Sequence, residues 1–124
     1  MNWEFLWVGV GGFLGSISRY GIGVWTTRFW ANPFPLGTFI INVLGCFLIG
    51  LFFGSWIKGH ISDSMSRLLI AGFCGGFTTF SSFSYEALAL IEEGKMGIWV
   101  LYVGGSILLG LLATWGGITL LRMQ

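Results

Sequence analysis

Charged residues are scarce in this 124-residue chain: six are basic, five are acidic, and together they make up 9% of the sequence. A soluble domain usually has about 25% charged residues, so this chain is not expected to fold as one. The formal net charge of +1 leaves too few basic residues for a nucleic-acid-binding face and too few acidic residues for a cationic partner. We therefore expect no nucleic acid among its partners.

Cysteine and histidine are also rare. The chain has one histidine and two cysteines, Cys46 and Cys74, and the cysteines lie in separate apolar stretches. This arrangement lacks the ligand spacing of zinc or iron–sulfur sites. The sequence also shows no pairing of a nucleophile with a base that would suggest an enzyme.

Apolar residues are abundant instead: 55% of the chain is hydrophobic, and its mean hydropathy is +0.84. Charges and prolines divide the chain into four apolar segments, each near the roughly 20 residues that cross a bilayer as a helix. The segments cover approximately residues 3–26, 36–57, 68–91 and 96–121. We therefore predict an all-α membrane protein in which residues 1–124 form a single domain of four transmembrane helices.

Lysine and arginine are almost evenly divided between the two ends of these segments. Four crossings place both termini and the 58–67 loop on one side of the bilayer. Three basic residues lie on that side and two on the other: Lys58, Arg67 and Arg122 against Arg28 and Lys95. Because these residues set the orientation, either one orientation is weakly specified, or the chain inserts both ways and two copies pair antiparallel.

Glycine accounts for 21 residues, and several glycines are separated by three residues, a spacing that lets helix backbones approach closely. The pairs are Gly11/Gly15, Gly50/Gly54 and Gly72/Gly76. They serve either packing within one subunit or association between copies. Because four helices leave little interior for polar side chains, a homodimer is the simplest way to bury them.

Two polar residues in the first and second segments need an explanation. A centrally placed arginine costs about 2.5–3.5 kcal/mol in a bilayer, so Arg19 either snorkels to the helix end or provides positive charge at an aqueous vestibule. Asn42, one turn after Thr38, either joins helices or offers its two N–H donors to an anion.

The third segment contains AGFCGGFTTFSSFSYE, residues 71–86. Phenylalanines recur every three residues on one predicted face: Phe77, Phe80 and Phe83. Polar residues occupy the neighbouring face: Thr79, Ser82 and Glu86. The rings either pack or present their positive edges to an anion.

Glycines at the centre of this segment predict a broken helix. Gly75 and Gly76 permit a break near its middle, and a break at membrane depth requires protein, water or an ion to meet the freed carbonyls. Carbonyl oxygens are hard ligands, which favours a small cation such as sodium.

In the fourth segment, polar or small residues recur every four positions and share one predicted helix face: Tyr102, Ser106, Gly110 and Thr114. Its hydroxyls either bond back to their own helix or form a track facing Phe80 and Phe83.

Three of these stretches together resemble the Fluc-type fluoride channels, small four-helix proteins of bacteria and some other organisms. They are GGFLGSISRY (residues 11–20), FPLGTFIINVLGCFLIG (34–50) and GFCGGFTTFSSFSYE (72–86). The resemblance extends over nearly the whole chain. It implies a bacterial inner-membrane protein that forms an antiparallel, dual-topology homodimer with two fluoride pores and a central sodium ion.

The resemblance also implies roles for individual residues. Pore-lining positions match Asn42, Phe80, Phe83, Thr38, Tyr102 and Ser106. Arg19 matches the vestibule arginine, and the main-chain carbonyls of Gly75 and Thr78 match the sodium ligands. Gly110 departs from the pattern where relatives carry a hydroxyl, which shifts the expected track toward Thr114.

The implied function is passive, fluoride-selective export that relieves fluoride toxicity. A proton-coupled exporter of hydrophobic cations is an alternative, but that class needs a carboxylate deep in the first helix, which offers only Glu4 near its start. A non-conducting assembly subunit is a second alternative, and it leaves Arg19 and Asn42 unexplained.

Overall fold

Residues 2–124 are described by a computed structural model, and every regular element in that range is helical. The elements are α1 Glu4–Thr27, α2 Leu36–Ile57, α3 Asp63–Ser66, a π-helical segment Arg67–Cys74, α4 Gly75–Phe77, α5 Phe80–Glu92 and α6 Met96–Arg122. The all-α prediction is confirmed for this range. Helices α1, α2 and α6 begin and end within one residue of three predicted segments.

Two helices, α2 with 22 residues and α6 with 27, are long and apolar enough to cross a bilayer. Large hydrophobic side chains are exposed along the outside of the long helices, which is consistent with a membrane protein. The four crossings remain a prediction.

Single glycines with a positive φ end two of the helices. Gly59 follows α2 with φ 75°, and Gly94 follows α5 with φ 72°. Because glycine lacks a Cβ, the chain can reverse there and cap the last carbonyls. The His60 N–H donates to the Ser55 carbonyl at 2.8 Å, and the Lys95 N–H donates to Leu90 at 2.9 Å.

The spaced glycines pack helices of the same chain against one another. A Cβ added at Gly72 would lie 2.7 Å from the Val8 carbonyl oxygen, and one at Gly76 would lie 2.6 Å from that of Gly12, so α1 lies directly against the third segment. On the other side of the bundle, Gly50 faces Gly117 where α2 crosses α6. All three predicted pairs make such contacts, so they report packing within one subunit and lend no support to a homodimer.

The third segment is broken, as predicted, but not at its glycines. Gly75 and Gly76 are helical, and the extended residues are Thr78 (φ −83°, ψ 156°) and Thr79 (φ −147°, ψ 116°). β-Branched threonine favours extended backbone, whereas Gly76 is needed for the close approach to α1. The glycines therefore serve packing, and the threonines form the break.

Two neighbouring glycines of α6 test the packing between α2 and α6. A Cβ added at Gly117 would overlap the Phe47 carbonyl oxygen, whereas a Cβ added at Gly116 meets nothing within 4 Å. We expect Gly117→Ala to lower the free energy of unfolding by about 1–3 kcal/mol through overpacking. Gly116→Ala, the matched control, should be neutral or slightly stabilising because alanine is the better helix former. Thermal unfolding in detergent measures both, and equal effects would contradict this packing.

Candidate functional site

Two open cavities lie on either side of the break in the third segment. The first, named here the Arg19 cleft, has a volume of about 600 Å³. Predicted site residues in its wall are Arg19, Thr38, Thr79, Ser82 and Glu86. The second, the Asn42 groove, has a volume of about 450 Å³. Predicted site residues in its wall are Asn42, Gly75, Thr78, Thr79, Phe80, Phe83 and Ser106. Because Thr79 lines both, the two cavities adjoin at the break.

Asn42 joins α2 to the break through both ends of its side-chain amide. Its Nδ2 donates to the Thr79 carbonyl at 3.0 Å, and its Oδ1 accepts from the Thr79 backbone N–H at 2.8 Å. The amide of Asn42 thus satisfies both the N–H and the carbonyl of the extended residue Thr79. One N–H of the amide remains for another partner in the Asn42 groove.

Arg19 joins α1 to the same region. Its Nε donates to the Gly76 carbonyl oxygen at 3.0 Å, and the side chain also lines the Arg19 cleft. Bonds from a charged donor are roughly twice as strong as neutral ones. Arg19 therefore fixes the backbone just before the break and brings positive charge to the cleft.

Thr79 begins α5 as its N-cap. The Thr79 Oγ1 accepts from the Ser82 N–H at 3.2 Å, which satisfies one of the free donors of the first helical turn. A threonine before a helical run is an N-cap signal in the sequence. The predicted break at the glycines does not include this role for Thr79.

Thr38 and Glu86 form the second link between α2 and the third segment. The Thr38 hydroxyl donates to Glu86 Oε1 at 2.6 Å in the wall of the Arg19 cleft. The Tyr102 hydroxyl lies beside this pair. The bond holds the carboxylate against α2, so the orientation of Glu86 depends on Thr38.

The aromatic residues do not all share the predicted face. Phe77 lies before the break, is 2% exposed, and stacks on Phe73 with ring centroids 5.5 Å apart. Phe80 and Phe83 lie after the break, with centroids 5.9 Å apart, and Phe83 contacts Tyr102 at 5.2 Å. The prediction for Phe77 is therefore wrong, because two extended residues separate it from the other rings.

Phe80 is highly exposed in the single chain. In the single chain 80% of its surface is accessible, although it lines the Asn42 groove. What distinguishes Phe80 from comparably exposed side chains such as Phe5 (77%) and Tyr85 (74%) is its place in the wall of the groove.

On α6, Ser106 has a buried hydroxyl in the wall of the Asn42 groove, and this hydroxyl has no hydrogen-bond partner in residues 2–124. It does not bond back to its own helix, so that alternative is excluded. A buried unpaired hydroxyl is costly, so this one is available to a water molecule, a ligand or a second chain. Tyr102 is fully buried, and its hydroxyl likewise makes no hydrogen bond of good geometry within the described residues.

Cys46 occupies the space beside Gly110. A Cβ added at Gly110 would lie 3.3 Å from the Cys46 sulfur, and Cys46 itself lines the Asn42 groove. Thr114 lies further along α6, where its carbonyl faces Gly50, and among residues 2–124 it does not belong to the wall of either cavity.

Comparison with known proteins identifies relatives over almost the entire length. The family model described as CrcB-like protein, Camphor Resistance (CrcB), matches residues 6–118. A protein of Acidobacterium capsulatum named fluoride-specific ion channel FluC is 49% identical over 116 residues, which is 92% of each chain. Proteins of the same name from Stutzerimonas stutzeri and Thermus thermophilus are 43% and 46% identical. The alignment with the Stutzerimonas stutzeri protein covers 94% of each chain, and the alignment with the Thermus thermophilus protein covers 92% of this chain and 90% of the relative.

Replacing Thr38 with valine, which has the same shape but no hydroxyl, tests the hydrogen bond between Thr38 and Glu86. We expect Thr38→Val to lower the free energy of unfolding by about 1 kcal/mol, because the donor is lost while the side-chain shape is kept. Thr38→Ser retains the hydroxyl and should behave nearly as the wild type. Thermal unfolding of the purified proteins makes the comparison, and a serine variant as unstable as the valine variant would contradict the role of the hydroxyl.

Proposed function

This chain belongs to the CrcB-like protein family, and we propose that it is a passive, fluoride-selective channel that lets fluoride leave the cytoplasm. Relatives at 43–49% identity are named fluoride-specific ion channels. The observation that carries the proposal is the Asn42 groove, where uncharged hydrogen-bond donors and aromatic rings line one wall. A channel of this kind moves an ion and catalyses no chemical reaction.

The lining of the Asn42 groove suits a small, strongly hydrated anion. The remaining amide N–H of Asn42 and the unpaired hydroxyl of Ser106 can each donate to fluoride. The edges of the Phe80 and Phe83 rings carry partial positive charge. Conduction needs contacts that replace water without trapping the ion, and the described wall of this groove contains no charged side chain. We expect the completed pore to be too narrow for the larger chloride ion.

We assign the Arg19 cleft to the entrance of the path. The guanidinium of Arg19 places one positive charge in this cleft, beside the carboxylates of Glu86 and Glu93 in the same wall, and we propose that it is the group that attracts the anion. The hydroxyls of Thr38 and Ser82 line the same cleft, and Thr38 also holds Glu86 in place. Thr79, which lines both cavities, marks the passage from the cleft to the groove.

The direction of flow follows from the chemistry of fluoride. Hydrofluoric acid crosses a membrane in its neutral form and ionises at cytoplasmic pH, which traps fluoride inside. A passive path lets the negative-inside potential drive the anion out. We propose that the chain is a multi-pass protein of the bacterial inner membrane with four helical crossings, and the apolar α2 and α6 support a membrane setting.

Two copies arranged antiparallel complete the proposed pore. The Asn42 groove is open on one side of the single chain, and Phe80 stands exposed at its wall. A second, inverted copy of this chain covers that side and contributes its own rings. The almost even distribution of basic residues between the two sides of the bilayer supports insertion in both directions.

We further propose that a sodium ion is held between the copies by the carbonyls of Gly75 and Thr78. Both residues line the Asn42 groove, Gly75 is exposed, and the extended Thr78 takes no part in a regular helix. Hard carbonyl oxygens suit Na⁺, and two copies supply four of them. When bound, the ion links the two halves and adds a fixed positive charge.

The alternatives have less support. A proton-coupled exporter needs a carboxylate deep in the first helix, but Glu4, at the start of α1, is paired with Arg67 at 2.8 Å. An assembly subunit would not need the unpaired Ser106 hydroxyl beside an open groove.

Fluoride efflux from liposomes tests the proposed function. We expect the purified protein to release loaded fluoride and to retain chloride. Phe80→Ile and Phe83→Ile should each slow fluoride efflux by about tenfold or more, since an aliphatic side chain lacks the positive ring edge. Phe5→Ile is the matched control: Phe5 is 77% exposed on α1, away from the groove, and its loss should leave the efflux rate unchanged. Equal fluxes of fluoride and chloride through the wild type would rule out the proposal.

Reporter fusions test the dual topology. A reporter at the C-terminus should give signal from both sides of the inner membrane, because the basic residues impose almost no bias. Added C-terminal lysines should fix one orientation and reduce fluoride resistance, and co-expression of an oppositely biased copy should restore it. Signal from one side only, with full resistance, would rule out antiparallel pairing.

A further inference from the structure

We propose that Asn42 is a positioning residue for the cation as well as a donor to the anion: it frees the Gly75 carbonyl by capturing the Thr79 N–H. The inference rests on the sodium site suggested above. The side chain of Asn42 would then act twice: it would donate to an anion in the Asn42 groove and leave a carbonyl oxygen free for the cation beside the groove.

The hydrogen bonds before the break show where the helical pattern stops. In an α-helix each N–H donates to the carbonyl four residues earlier. The Thr78 N–H still does so, donating to Cys74 at 3.0 Å. The next N–H, that of Thr79, would donate to Gly75, but it donates to Asn42 Oδ1 at 2.8 Å instead. The Gly75 carbonyl therefore loses its helical donor to a side chain of α2.

The second predicted ligand is freed in the same way. The Ser82 N–H would donate to the Thr78 carbonyl in a continuous helix, but it donates to Thr79 Oγ1 at 3.2 Å. The Gly76 carbonyl, by contrast, is taken by Arg19 Nε. Side chains thus capture the N–H groups that would otherwise donate to the Gly75 and Thr78 carbonyls. The Gly76 carbonyl, which lies between these two in the sequence, accepts from a side chain instead.

Asn42 also keeps this arrangement from reverting. A backbone N–H without a partner is costly in a low-dielectric environment, so without Asn42 the Thr79 N–H would gain by returning to the Gly75 carbonyl. The bond from Asn42 Nδ2 to the Thr79 carbonyl holds Thr79 in its extended conformation. Loss of Asn42 would therefore cost the cation one of its ligands in each copy.

The response of thermal stability to sodium tests this role without measuring ion flux. The purified wild-type protein is heated in detergent with Na⁺ or with N-methyl-D-glucamine at equal ionic strength. A bound ion stabilises the folded state, so we expect Na⁺ to raise the Tm by about 5 °C or more. For Asn42→Ala the rise should fall to about 1 °C or less. Ser106→Ala, which alters the same groove but touches neither carbonyl, should keep the full rise.

A second pair of variants covers the case in which Asn42→Ala does not fold. Thr79→Val removes the hydroxyl that captures the Ser82 N–H and should lose most of the sodium response, whereas Thr79→Ser should keep it. A full sodium response in Asn42→Ala, or equal responses in the two Thr79 variants, would overturn the inference.

Failure of the inference and failure of the channel function give different results. A wild type that transports fluoride but shows no rise in Tm with Na⁺ would refute the coupling and leave the channel intact. A wild type that does not transport fluoride, yet loses its sodium response on Asn42→Ala, would refute the channel and support the positioning role.

Discussion

The paired hydrogen bonds between the Asn42 amide and the Thr79 backbone are the interaction on which the rest of the site depends. They hold two residues extended inside an apolar helical bundle, where backbone groups outside a helix need other partners. Arg19 supplies a further partner from α1 at Gly76. The break is therefore held by side chains from two other helices and does not arise from local flexibility.

Close packing around the break gives these bonds a fixed frame. Glycines bring α1 against the third segment and α2 against α6 with almost no space between backbones. Asn42 belongs to α2 and Arg19 to α1. A shift of one of these helices would therefore lengthen or break the hydrogen bonds that its side chain makes to the break. The Arg19 cleft and the Asn42 groove adjoin the break within this frame.

Much of the architecture follows from the sequence, because apolar segments bounded by charges and prolines fix the helix ends. The position of the break does not: the adjacent glycines predicted it at residues 75–76, whereas the extended residues are Thr78 and Thr79, held by Asn42 from 37 residues before Thr79. That shift also moved Phe77 away from Phe80 and Phe83. The π-helical segment had no local signal, and glycine spacing alone cannot distinguish contacts within a chain from contacts between copies.

A structure of the protein determined experimentally in lipid nanodiscs with sodium fluoride tests the central claim most directly. We predict that the Thr79 N–H bonds to Asn42, that the carbonyls of Gly75 and Thr78 from two inverted copies converge on one ion, and that anion density lies between Asn42 and the Phe80 ring. A continuous helix through residues 75–82, or two copies pointing in the same direction, would contradict it.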